Sequence, residues 1–142
     1  MAPALSLAEL AGTSPGSVIE ATIEGSLPGG GLRGIEFENC VFRGVNLEKA
    51  VLIGASFSEC TFEDCSFSGA DLTDANLGEC RFTGAKLSGI NWALAHVNRF
   101  AACPLEFVRC NMDFCWFVGA ELARCSFSDC SIREADFSEA RL

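Results

Sequence analysis

Ala70-Asp71-Leu72-Thr73-Asp74-Ala75-Asn76-Leu77-Gly78-Glu79 is the same five-residue unit written twice: alanine, Asp or Asn, leucine, then two more residues. Outward from this stretch the period of five persists. Every fifth residue from Leu32 to Leu142 is apolar, 23 positions in a row, and 18 of them are Leu or Phe. At 49% apolar content, chance would produce such a run less than about once in a million times. A second column lies two residues earlier and holds nine alanines and eight of the nine cysteines. The remaining three positions are mostly Ser, Thr, Asn, Asp, Glu, Gly and Arg.

Neither a helix nor an ordinary strand has a period of five. Five residues must therefore make one structural step, with a large and a small residue inward and three residues outward. One step cannot bury its own inner face, so the steps must wind into coils that stack in register.

These units resemble the pentapeptide-repeat family, whose motif is A(D/N)LXX with Leu or Phe at the centre. Besides the two copies above, Ala135-Asp136-Phe137-Ser138-Glu139 matches it cleanly. The resemblance implies an all-β chain, a right-handed quadrilateral parallel β-helix with four steps per coil. It covers residues 30–142, which gives about five to six coils and a body about 28 Å long at roughly 4.8 Å per layer. Residues 90–104 keep the phase but lose the motif: Phe100 is large for the small column, Ala102 is small for the central one, and Pro104 cannot donate to a ladder. An irregular coil or short loop is expected there. Residues 1–29 read as an N-terminal cap, with a short helix from Ser6 to Gly12 and a strand within residues 18–23 covering the first coil. The sequence stops at Leu142, a central position, so a second chain covers that end, or it is open, or the sequence is truncated; a homodimer through the open end is one expectation.

Mean hydropathy is +0.28, high for a soluble protein, yet no stretch approaches the roughly 18 apolar residues of a spanning helix. The repeat's interior accounts for the excess. The N-terminus carries neither the basic nor the apolar segment of a signal peptide, so a cytoplasmic location is expected and no membrane association. The net charge of −9, from 19 acids and 10 bases, argues against direct nucleic-acid binding and favours a protein partner with a basic surface.

Cys40, Cys60 and Cys80 recur at the coil period, so their side chains run parallel and do not converge on a disulfide or a metal. They read as small buried apolar groups, and free thiols suit a reducing compartment. His96 is the single histidine; with Cys103 and Glu106 it makes a poor triad, and no phosphate loop or hydrolase motif appears. No enzyme, metal or cofactor is expected.

Two surface features remain. In a uniform four-step coil, Glu36, Glu38, Glu59, Glu79, Asp136 and Glu139 share one wall, an acidic row that could imitate DNA phosphates. Phe114, Trp116, Val118, Leu94 and Ile53 fall in outward phases, and the same register stacks Phe114 on Leu94 at one corner, with Trp116 starting the adjacent wall. Clustered exposed aromatics mark interfaces. The candidate partner-binding residues are therefore Phe114, Trp116, Val118, Leu94, Ile53, Glu59 and Glu79. The expected function is a non-catalytic protein-binding module that blocks or neutralises a DNA-acting protein. Two forms are an immunity protein against a nuclease toxin and a DNA mimic protecting topoisomerase. The resemblance brings the second to mind, because some family members bind DNA gyrase and protect it from quinolones, although those are longer and dimerise through a C-terminal helix that this sequence lacks. The alternative is a scaffold or adaptor repeat with no inhibitory role.

Overall fold

A computed structural model describes residues 4–13, 16–27, 29–98 and 103–141 and shows a four-sided parallel β-helix of about six turns. The first face is a five-stranded parallel sheet of Ser17–Ile19, Glu36–Glu38, Ser56–Ser58, Asn76–Gly78 and His96–Val97. The second is seven-stranded and includes Thr22–Glu24, Val41–Arg43, Thr61–Glu63, Cys80–Thr83, Leu105–Val108 and Ser126–Ser128. The third and fourth faces hold single bridges: Ser26, Asn46, Ser66, Lys86, Asn111 and Ser131 on the third, and Asn91, Trp116 and Asp136 on the later part of the fourth.

Local sequence separates the two kinds of face. At five positions on the bridge faces an Asn or Asp precedes the central residue, and its side chain accepts the backbone N–H two residues on: Asn46 from Glu48, Asp71 from Thr73, Asn91 from Ala93, Asn111 from Asp113 and Asp136 from Ser138, at 2.9–3.1 Å. This short ring holds a turn without a flanking strand. Asn76, on the first face, reaches instead across a coil to Ser56 Oγ at 3.4 Å.

The central residues fill the interior. On the second face Phe42, Phe62, Phe82, Phe107 and Phe127 form one stack, with successive ring centroids 4.7, 4.4, 5.3 and 5.0 Å apart. The small column lies beside it. Its cysteine thiols do more than fill space: Cys60, Cys80, Cys110 and Cys115 donate to the carbonyls of Phe37, Phe57, Phe82 and Leu87 in the coil before, at 3.0–3.5 Å. Burial pushes the Cys65, Cys80 and Cys110 thiols up to about 11, which keeps them protonated as donors. All nine cysteines are free.

Two departures from a uniform helix matter. The ladder begins before residue 30, with a full coil from Ser17: the strand Ala4–Ser6 pairs Thr22–Glu24, Ser17 pairs Glu36 and Thr22 pairs Val41. The period-five reading missed this coil because Ile23 and Leu27 are four residues apart, which breaks the phase. The cap proper is the helix Leu7–Thr13, with Ser6 Oγ accepting Glu9 N–H at 3.2 Å and Leu7 and Leu10 buried. The helix runs past Gly12, the expected terminator.

The second departure is a coil of 25 residues. Arg81 pairs Glu106 and Phe82 pairs Phe107, whereas neighbouring rungs are 20 apart. Five residues are added between Val97 and Phe107, so the irregular segment is shorter than 90–104. Trp92 sits in the core and opens the one-turn 3-10 helix Trp92–Leu94, and His96–Val97 still pairs with Asn76–Leu77. Phe100, Ala102 and Leu142 lie outside the described residues.

Candidate protein-binding face

Most described steps end on a left-handed residue, two places after the central one; Leu94, in the 3-10 helix, is an exception. Thirteen non-glycine residues there have positive φ, and twelve are Asn, Asp, Glu, Lys or Arg, most of them short or flexible polar side chains. The thirteenth is Phe114, at φ +61°. A bulky apolar residue in this region is a true outlier, and such strain persists where surrounding contacts impose it.

An inter-coil clamp lies next door. Asp113, 4% exposed, is the buried charged side chain among the described residues. Its Oδ1 accepts Ser131 Oγ at 2.5 Å and Arg133 N–H at 2.8 Å, and its Oδ2 accepts Arg133 Nη2 at 3.0 Å and Nε at 3.3 Å. These hydrogen bonds, that of Ser131 foremost, hold the Asp113 carboxyl below the usual carboxylate range. The clamp ties one coil to the next and fixes the corner from which Phe114 projects.

The 25-residue coil decides which residues share a face. Trp116 bridges Asn91 and Asp136, and Trp92 N–H bonds Trp116 C=O at 2.9 Å. Phe114 therefore stands at one edge of the fourth face, stacked on Gly89, while Leu94 stands at the other edge in the column of Gly119. The two do not stack at one corner as a uniform register requires; Trp116 and Val118 lie on the face between them. Phe114, Trp116, Leu94 and Val118 are 55%, 49%, 46% and 41% exposed, four of the six exposed large apolar side chains described. Ile53 lies on the same face two coils earlier, is half-buried, and is separated from the four by Asp71 and Thr73.

The acidic wall is corrected by the same shift. Glu36 and Glu38 flank Phe37 on the first face, and Glu20, Asn39, Glu59 and Glu79 stack at the corner between the first and second faces. Asp136 and Glu139 leave this wall for the fourth face and its corner, because the five added residues set everything after them one face back from a uniform register. The second face is mixed in charge, with Arg43 on Glu63 at 3.6 Å and Arg81 on Glu106 at 3.2 Å.

His96 Nε2 lies 3.2 Å from Asp74 Oδ1, Glu106 is held by Arg81, and the Cys103 thiol points to the Leu105 carbonyl at 3.9 Å, so the three belong to separate contacts. Among the described residues no group of three His, Cys, Asp or Glu could hold a metal ion, and no helix is long and apolar enough to cross a membrane.

Profiles of pentapeptide repeats in nine and eight copies match residues 37–91 and 106–142, more than half of the chain. The chain belongs to the pentapeptide-repeat family. The two matches stop and restart around the 25-residue coil, where the repeat geometry is interrupted. No curated protein matches the sequence. Among solved structures, trypsin-treated QnrB1, a plasmid-mediated fluoroquinolone resistance protein, superposes with a TM-score of 0.64 at 22% identity, over 99% of this chain and 70% of that one. Rfr23 from the cyanobacterium Cyanothece 51142 gives 0.41 at 15% identity over 92% and 91%, and a thylakoid-lumen pentapeptide repeat protein of Arabidopsis thaliana gives 0.25 at 22% over 93% and 72%. At these identities the likeness is one of fold.

Proposed function

We propose that this pentapeptide-repeat protein is a non-catalytic binding module that seats on a basic, DNA-acting protein and blocks it, in the manner of an immunity protein for a nuclease toxin. The observation that carries the reading is the fourth face, where Phe114, Trp116, Val118 and Leu94 are exposed together on a rigid ladder. Exposed aromatics gathered this way are what interface hot spots are made of. The net charge of −9 favours a basic partner, and DNA-acting proteins carry such surfaces. A DNA-mimic surface has less support. With Asp136 and Glu139 elsewhere, the corner column keeps only Glu20, Glu59 and Glu79, interrupted by Asn39. Nine unpaired cysteines suit a reducing compartment such as the cytoplasm.

The test is an affinity pull-down from host lysate with the tagged protein, run beside Phe114→Ala/Trp116→Ala and Glu59→Lys/Glu79→Lys. One stoichiometric, basic partner is expected, lost with the first pair and kept with the second. Loss with the charge reversals alone would instead identify a DNA mimic. Capture of no partner by any form would leave the scaffold reading standing in place of this one.

A further inference from the structure

We infer that the fourth face receives a protein segment that lays an arginine or lysine on the Trp116 ring, with apolar neighbours of that residue packed on Phe114, Val118 and Leu94. This rests on the reading of that face as a protein-binding surface and specifies the chemistry of what it holds. From the third coil on, the face and its two corners comprise residues 69–74, 89–94, 114–119 and 134–139. These segments contain five acids, Asp71, Asp74, Glu134, Asp136 and Glu139, and no Lys or Arg. All five are exposed. Of the nearby cations, Arg133 clamps Asp113 and Arg141 leans toward Glu121 at 3.9 Å, while Arg33 and Lys49 lie toward the Asp71 end, away from Trp116.

The geometry centres this charge on the tryptophan. Asp136 is the rung partner of Trp116, and Glu134 and Glu139 follow Phe114 and Gly119 in the corner columns. Asp136 stays ionised because the Ser138 hydroxyl and N–H bond its Oδ1 at 2.6 and 2.9 Å and hold its carboxyl below the usual range. A cation over an indole face gains from the ring quadrupole, and a carboxylate one rung away reinforces the same site. The rim also decides against other occupants. Phosphates of nucleic acid or anionic lipid would meet the five carboxylates, and a second copy docking face to face would set those carboxylates against their own kind.

The experiment uses the whole chain and three short synthetic peptides alternating leucine with arginine, citrulline or glutamate. The protein has two tryptophans, one buried and one on this face, so the Trp116 indole N–H resonance, assigned by its absence from Trp116→Phe, reports on the site. The arginine peptide should shift it saturably, and citrulline, which keeps the shape and lacks the charge, should bind at least about tenfold more weakly. Glu134→Gln/Asp136→Asn/Glu139→Gln should weaken the arginine peptide by at least about tenfold and flatten its salt dependence. Equal binding of citrulline or glutamate peptides, indifference to the triple substitution, or a dimer in sedimentation that disappears with Trp116→Ala would each overturn the inference. A natural partner lost with Phe114→Ala/Trp116→Ala yet unmoved by the triple substitution would refute the cation site and leave the binding-module reading intact.

Discussion

Two regions of this solenoid carry surface features, and they differ in how they are built. At the corner between the first and second faces, Glu59 and Glu79 occupy the left-handed position that polar residues fill throughout the molecule, at φ +52° and +55°. They are repeats of an ordinary element, and nothing beside them is unusual. On the fourth face the same kind of position holds Phe114, beside a buried Asp113 clamped by four hydrogen bonds and followed by exposed Trp116 and Val118. Here the repeat rules are broken four times within six residues, and inter-coil hydrogen bonds lie beside the break. In a repeat protein the departures are more informative than the charges that follow the pattern, because the pattern alone explains the latter.

The largest test of this contrast moves the whole face. Removing residues 109–113, one complete step, keeps the period of five but carries Trp116 and everything after it one face back and deletes the Asp113 clamp. Partner binding should vanish, while removal of residues 100–104, which restores a 20-residue coil, should leave binding within about twofold as measured by titration calorimetry. If both deletions bind equally, the face is not the site.

Smaller in effect is the clamp. Asp113→Asn should destabilise the protein at neutral pH, read by urea unfolding. The sign follows from a folded-state carboxyl held below its ordinary value: its contribution is complete above the unfolded-state range and is lost as pH falls through the folded value. The difference between wild type and variant should therefore shrink as the pH drops beneath the usual carboxylate range. A difference that is constant with pH would mean that Asp113 acts through shape alone.

Smallest is Phe114→Gly, which should raise stability by about 1 kcal/mol, a few degrees in Tm, by relieving the left-handed strain while weakening binding. The control Glu59→Gly relieves a similar backbone conformation and should leave binding unchanged. Stabilisation without loss of binding at Phe114 would reduce the two regions to the same kind of corner.

Much of this was legible in the one-dimensional pattern. The inward columns were correct from Leu32 to Leu122, apart from the irregular segment, and the outward phases of Phe114, Trp116, Val118 and Leu94 were correct; in the last described coil the central Ile132 is 45% exposed. What failed was the assignment of residues to faces beyond Val97, because a five-residue addition is invisible to a five-residue period: Leu87 and Met112 look 25 residues apart whether they are stacked or not. Asp113 was missed for another reason. Its phase is outward, and only its 20-residue separation from Arg133, an opposite charge one coil later, could have signalled the clamp. The same separation marks Arg43 and Glu63.

The sequence by itself determined which side chains point inward, since burying a Leu or Phe every five residues permits one in-out alternation along the chain. Only the tertiary structure decided which outward residues meet. Neighbours across coils are set by hydrogen bonds between rungs, and the rungs count the residues in each turn, 20 or 25, which the inward pattern does not record.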